Sequence, residues 1–166
     1  MSVTKVGNLD VHTNGNVPEV GTKAPDFLLV DTKLNDVTLQ STKGNRLVLN
    51  IFPSVDTSTC AQSVREFNRR AAALSRTVVM CISKDLPFAM KRFCAAEGID
   101  RVMALSDFRT RDFVNNYHVE MTEGPMRGLF ARVVIVIDEF GIIQHTEVVP
   151  LIGEEPDYDA ALKALH

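Results

Sequence analysis

"RLVLNIFPSVDTSTCAQSVREF", residues 46–67, joins two patterns of different period. Arg46–Phe52 is a nearly unbroken apolar run rich in Val, Leu and Ile, the composition of a strand covered on both faces. From Cys60 onward, Val64, Phe67, Ala71 and Leu74 recur at three- and four-residue steps with Arg65, Glu66, Arg69 and Arg70 between them, which predicts an amphipathic helix. Pro53 ends the strand, because it has no N–H to give to a ladder. Cys60 therefore stands where a buried strand hands over to a helix.

Outward from this junction the alternation continues. "TVVMCIS" (77–83) predicts a second buried strand, and "PFAMKRFCAAEG" (87–98) a helix with Pro87 in its first turn and Gly98 at its end. "VMALS" (102–106) predicts a short strand, "DFRTRDFVNNYH" (107–118) a helix begun at or near Asp107, and "LFARVVIVID" (129–138) the strongest strand of the chain. Glu139–Gly141 turns that strand back into "IIQHTEVV" (142–149), and "EPDYDAALKALH" (155–166) closes as a helix with acidic residues in its first turn. Toward the N-terminus, Val3–Val6 and Leu9–His12 flank Gly7-Asn8 as a β-hairpin, and "DFLLVDTKLNDVTLQ" (26–40) reads as a second hairpin turning at Thr32–Asp36. Strands alternating with helices, plus hairpins, predict an α/β fold: a central mixed β-sheet flanked by helices, with a thioredoxin-like core and an N-terminal β-hairpin. The 166 residues suffice for one continuous core, no repeat or linker divides them, and residues 1–166 read as a single domain.

Composition narrows the function. A net charge of −3 with scattered basic residues argues against nucleic acid as a partner. No segment has the length of a signal peptide's apolar region or a membrane span, so a cytoplasmic location and no membrane partner are expected. Cys60, Cys81 and Cys94 are too few, and odd in number, for a structural disulfide framework, and none has the CxxC spacing of a dithiol reductase or zinc knuckle. His12, His118, His145 and His166 stand singly, so no metal and no other cofactor is expected.

A thiol attacks as its thiolate, and unpaired N–H groups at a helix N-terminus, like nearby cations, favour that form. Position thus makes Cys60 a candidate nucleophile beside the plain alternative of a buried packing thiol. Thr57 has two readings, a cap for the helix or a hydrogen-bond partner of the sulfur. Cys81, embedded in an apolar strand, reads as core. Cys94, beside Lys91 and Arg92, reads equally as an inert thiol or a redox partner. Arg132 interrupts a strand near its start, either as a solvated charge at the sheet's end or as a fixed cation beside the end of the Cys60 strand.

"FPSVDTSTC" (52–60) resembles the P-x-x-x-T-x-x-C signature of the peroxiredoxins, with Pro53, Thr57 and Cys60 in its fixed positions. "GTKAPDFLLV", "TVVMCIS", "KDLPFAMKRFCAAEG", "GPMRGLFAR", "VVIVID" and "EPDYDAALKAL" extend the likeness, in order, to the bacterial thiol peroxidase group of that family, the atypical two-cysteine type. The resemblance implies a peroxidatic Cys60, a Thr57 bonded to it and to peroxide, an Arg132 stabilising the thiolate, and a resolving Cys94. It further implies hydrogen peroxide and alkyl hydroperoxides as substrates, an intramolecular Cys60–Cys94 disulfide, thioredoxin as reductant, and a homodimer near "GPMRGLFAR". A pocket edged by Phe and Met residues would suit a hydroperoxide with an apolar substituent. Two rivals remain at this point: a disulfide reductase active without peroxide, and a redox sensor or holdase that oxidises slowly without turnover.

Overall fold

The computed structural model describes residues 1–166, along which the chain forms β1 (Val3–Val6), β2 (Leu9–His12), β3 (Leu28–Val30), β4 (Asp36–Thr38), β5 (Arg46–Ile51), α1 (Ser58–Ala71), β6 (Thr77–Ser83), α2 (Pro87–Glu97), β7 (Met103–Ser106), α3 (Asp112–Tyr117), β8 (Val133–Ile137), β9 (Ile143–Val148) and α4 (Tyr158–Lys163). β1 and β2 form a separate hairpin, and the other seven strands form one mixed sheet in the order β4-β3-β7-β6-β5-β8-β9. β5, β6 and β7 are parallel neighbours joined through α1 and α2, while β8 runs antiparallel to β5.

The period of two in β5 sorts its side chains. Leu47, Leu49 and Ile51 enter the main core, which includes Phe27, Phe113, Tyr117 and Phe130 on one side of the sheet. Val48 points the other way, with Phe67 of α1, Val79, Val134, Val136 and Ala161 of α4. Burial of each such large side chain stabilises by about 1.5–3 kcal/mol, so a one-residue slip of β5 would forfeit several at once. Asn50 lies on the α1 side, its Nδ2 donating to the Ser63 hydroxyl at 3.1 Å while its Oδ1 is buried without a partner.

The two largest boundary differences from the sequence expectation are at the third helix and at β8; the last helix is also shorter, Tyr158–Lys163 within 155–166. The third helix starts at Asp112 rather than at Asp107. Asp107 is buried instead, its N–H continuing the sheet contact to Ser83 O at 3.2 Å, and the chain turns through Arg111 before becoming helical. The strand predicted from Leu129 begins only at Val133: Leu129 and Ala131 are bonded to Met121 and Val119, an irregular pairing that leaves Arg132 just ahead of β8.

The N-terminal hairpin braces the segment after β9. Thr4 Oγ1 donates to Val149 O at 2.8 Å, Lys5 N to Pro150 O at 2.8 Å, and Ile152 N to Lys5 O at 2.9 Å. No helix is long and apolar enough to cross a membrane.

Candidate active site

α1 begins as its sequence directs. Thr57 is extended (φ −90°, ψ 147°) and caps the helix, its hydroxyl oxygen accepting from Cys60 N at 3.3 Å and its hydroxyl hydrogen going to Ser54 O at 3.2 Å. Of the two readings of Thr57, the structure thus has the cap. Cys60 sits in the first helical turn, fully buried, with Phe52, Val55, Val64 and Cys81 around it. This is the region of unpaired N–H groups that favours negative charge.

Arg132 is 2% exposed, which overturns the solvated sheet-end reading. Its Nη2 lies 3.4 Å from Cys60 Sγ, and Nε and Nη2 donate to Ile152 O at 3.0 and 2.8 Å. Nη1 is buried and has no partner. Arg132 forms no ion pair with any carboxylate. Burying a guanidinium is costly unless something anionic compensates it. Here the group directly against it is a sulfur.

Pro53, Thr57, Thr59, Met126, Arg132 and Ile152 line a cavity of about 230 Å³, and Cys60 is wholly buried behind them. Met126 and Ile152 are the apolar side chains at its edge, and no Phe lines it. A larger cavity of about 420 Å³ opens at the other end of β5 and β8 around Leu47 and Ile137; no cysteine lines it, so size does not locate the chemistry. No cluster of three or more His, Cys, Asp or Glu is arranged to hold a metal ion.

The structure brings Pro53, Thr57, Cys60 and Arg132 together and leaves Cys94 outside that group. All three cysteines are free thiols. Cys94 is half-buried in α2, and burial pushes its thiol up from the ordinary value. Cys81, buried in β6, is pushed up by burial to about 12, with Asn50 Nδ2 3.7 Å from its sulfur opposing the shift. Such a thiol is inert at neutral pH. α2 is held to α1 by the Arg65–Glu97 fork, with both bonds at 2.9 Å, and the segment that follows α2 is held by Asn68 Oδ1, which accepts from Asp100 N and Arg101 N at 3.3 and 2.7 Å.

Sequence reasoning missed the carbonyl of Ile152 and the side chains of Asn50 and Ser63. Ser63 Oγ donates to Cys60 O at 2.8 Å, which places a buried hydroxyl under the first turn of α1. The one available signal was a lone Asn in the apolar run of β5, since a buried amide requires a partner.

The chain matches the Redoxin family over residues 19–162. It is 49% identical over 166 residues, the full length of both chains, to a protein named thiol peroxidase from Corynebacterium glutamicum. Among solved structures it resembles a peroxiredoxin-like protein from Aquifex aeolicus (TM-score 0.91, 35% identity, covering 98% of this chain and 95% of that one). It also resembles a thiol peroxidase from Chromobacterium violaceum (TM-score 0.89, 26% identity, covering 97% and 93%). Both are consistent with the mixed sheet flanked by helices described above.

Proposed function

The chain belongs to the Redoxin family and is a thiol-dependent peroxidase of the peroxiredoxin type, and from that premise we propose that Cys60 is its peroxidatic nucleophile and Cys94 its resolving thiol. The observation that carries this assignment is the buried guanidinium of Arg132, 3.4 Å from Cys60 Sγ and without a carboxylate partner. A cation so placed favours the thiolate and the charge that appears as the O–O bond breaks.

In the proposed cycle the Cys60 thiolate attacks the terminal oxygen of ROOH. The S–O bond forms as the O–O bond breaks, ROH leaves after taking a proton, and Cys60 becomes a sulfenic acid. Arg132 Nη1, a buried donor lacking an acceptor, supports a role in binding peroxide oxygen, and Thr57 holds the first turn of α1 in place. Pro53 walls the cavity and presents no N–H of its own. The Cys94 thiolate then attacks the sulfenic sulfur, releasing water and forming a Cys60–Cys94 disulfide. Disulfide geometry is strict and Cys94 lies outside the group around Cys60, so in the proposed cycle α2 opens locally to bring the two sulfurs together. Cys81 takes no part.

Hydrogen peroxide and alkyl hydroperoxides are the proposed substrates; Met126 and Ile152 at the cavity's edge suit an apolar substituent. The proposed reductant is thioredoxin, in a cytoplasmic setting, and the proposed assembly is a homodimer meeting near residues 124–132, to be tested by light scattering on the eluting protein. The test of the chemistry is stopped-flow mixing of reduced protein with peroxide, then intact mass and peptide mapping. A loss of two hydrogens localised to Cys60–Cys94 is expected; a disulfide involving Cys81, or no oxidation of Cys60, refutes the assignment.

A further inference from the structure

Between β6 and α2 the chain turns through Lys84–Leu86, and the carboxylate of Asp85 in that turn reaches back to the loop that precedes α1. Its Oδ1 accepts from Ser54 Oγ at 2.7 Å, and its Oδ2 accepts from Val55 N at 2.8 Å and from Ser83 Oγ at 2.6 Å. No cation pairs with it. The neighbouring Lys84 is engaged elsewhere, 2.6 Å from Glu120 and over the ring of Phe130. Every bond to the carboxylate thus comes from a neutral group of the loop or of the end of β6.

Those bonds continue toward the sulfur. Ser54 O accepts from both Thr57 N and Thr57 Oγ1 at 3.2 Å, and Thr57 Oγ1 in turn accepts from Cys60 N at 3.3 Å. Asp85, Ser54, Thr57 and Cys60 therefore form one chain of contacts, with the carboxylate as its fixed end. Phe52 N still reaches Ile82 O of β6 and Thr57 O already accepts from Ala61 N of α1, but Pro53–Asp56 between them has no strand or helix pairing, so its shape depends on such bonds.

We infer that Asp85 is a positioning residue for the peroxide step, holding the Ser54–Thr57 loop, and through Thr57 the first turn of α1, in register with Arg132. This rests on the assignment of Cys60 and Cys94 above. Asp85 borders α2 only at its start, where the helix's buried residues, Pro87 and Met90, also lie. From Lys91 to Gly98 the helix is half-buried or exposed, and it ends at Gly98 in the left-handed region (φ 67°). In the proposed opening, α2 releases from its Gly98 end, which frees Cys94 to reach Cys60 and does not disturb Asp85. Its removal should therefore slow attack on peroxide without slowing disulfide formation.

The test uses full-length reduced protein, hydrogen peroxide in a stopped-flow instrument, and acid-quenched intact mass, so that sulfenic acid and disulfide formation are timed separately in Asp85→Asn, Ser54→Ala and the double variant. Asp85→Asn is expected to lower the second-order constant for Cys60 oxidation about tenfold or more, the scale of a small misplacement of reacting groups. Disulfide formation is expected to be as fast as in the unaltered protein or faster. Ser54→Ala is expected to lose less, and the double variant no more than Asp85→Asn alone, because both act along one path. A folded Asp85→Asn protein with an unaltered peroxide constant, equal slowing of both steps, or losses that multiply in the double variant would overturn the inference. Should Asp85→Asn not fold, Ser54→Ala decides alone: a loss confined to the peroxide step supports the role, an unaltered constant removes it. A Cys60→Ser protein that still consumed peroxide would overturn the prior assignment, and this inference with it.

Discussion

At the start of α1, Cys60 is fully buried, its N–H capped by Thr57, its carbonyl bonded by Ser63 and its sulfur against Arg132. Near the end of α2, Cys94 is half-buried, its carbonyl accepting from Gly98 N and Ile99 N as the helix stops, and only two residues of that helix are buried. The two thiols thus occupy opposite mechanical settings. A group that must meet a small substrate in one geometry is served by rigid surroundings, whereas a group that must travel to a sulfenic acid is served by a helix held lightly. The difference teaches that rigidity here is local to a step of the proposed cycle.

The strongest way to break this contrast is to remove each sulfur in turn. Cys60→Ser is expected to abolish peroxide consumption in a thioredoxin-coupled NADPH assay, while leaving the fold, measured by circular dichroism, unchanged. Cys94→Ser is expected to oxidise once per chain and then fail to recycle through thioredoxin, with sulfenic acid trapped by dimedone and seen by mass. Normal turnover of either variant would erase the distinction. Next in size is Arg132→Met, which keeps the buried bulk and deletes the charge: kcat/KM for peroxide should fall by about 10²–10³, as for loss of a preorganised electrostatic donor. Its disulfide step should be unaffected, which would tie Arg132 to the first thiol alone.

Some of this contrast could be read from residue order, and some could not. The β5–α1 junction and the first hairpin were legible because each is a local matter, a change of hydrophobic period in one case and a Gly-Asn turn with Gly7 at φ 61° in the other. The burial of Arg132 was not legible. It depends on the carbonyl of Ile152, which reaches the site because the N-terminal hairpin grips residues 149–152, contacts spanning nearly the whole chain. Asp107 misled as a helix start because Asp is a favoured cap, yet the surrounding sheet buries it, and that burial pushes its carboxyl up to about 6. Asp85 gave no signal either, since its partners Ser54 and Val55 lie 31 and 30 residues away on the far side of α1 in the sequence and only the fold brings them to it.

A smaller effect sharpens the description of the Cys60 setting. Thr57→Val keeps the shape of the side chain but loses the acceptor for Cys60 N, which should cost about 1 kcal/mol of stability by urea unfolding. The peroxide constant should fall about tenfold if the first turn of α1 frays. Thr57→Ser keeps the hydroxyl and should retain most of both quantities. A Thr57→Val protein as fast as Thr57→Ser would mean that the cap does not matter to the reaction.

The smallest expected effect concerns the strap between the two helices. Arg65 and Glu97 form a fork between α1 and the end of α2, three residues past Cys94, and the hydrogen bonds from Arg65 hold the Glu97 carboxyl below the usual carboxylate range. The pair is solvent-exposed, so Glu97→Gln should speed disulfide formation by only about two- to fivefold and leave the peroxide constant alone. The sign with pH follows from that lowered value. A carboxylate favoured in the folded state stabilises the docked helix above the pH at which Glu97 titrates in the open state, and this contribution is lost as pH falls through the folded value. The ratio of the Glu97→Gln rate to the unaltered rate should therefore be largest near neutrality and approach one in acid. A ratio that stayed constant with pH, or a change in the peroxide step instead, would show that α2 opens without breaking this fork.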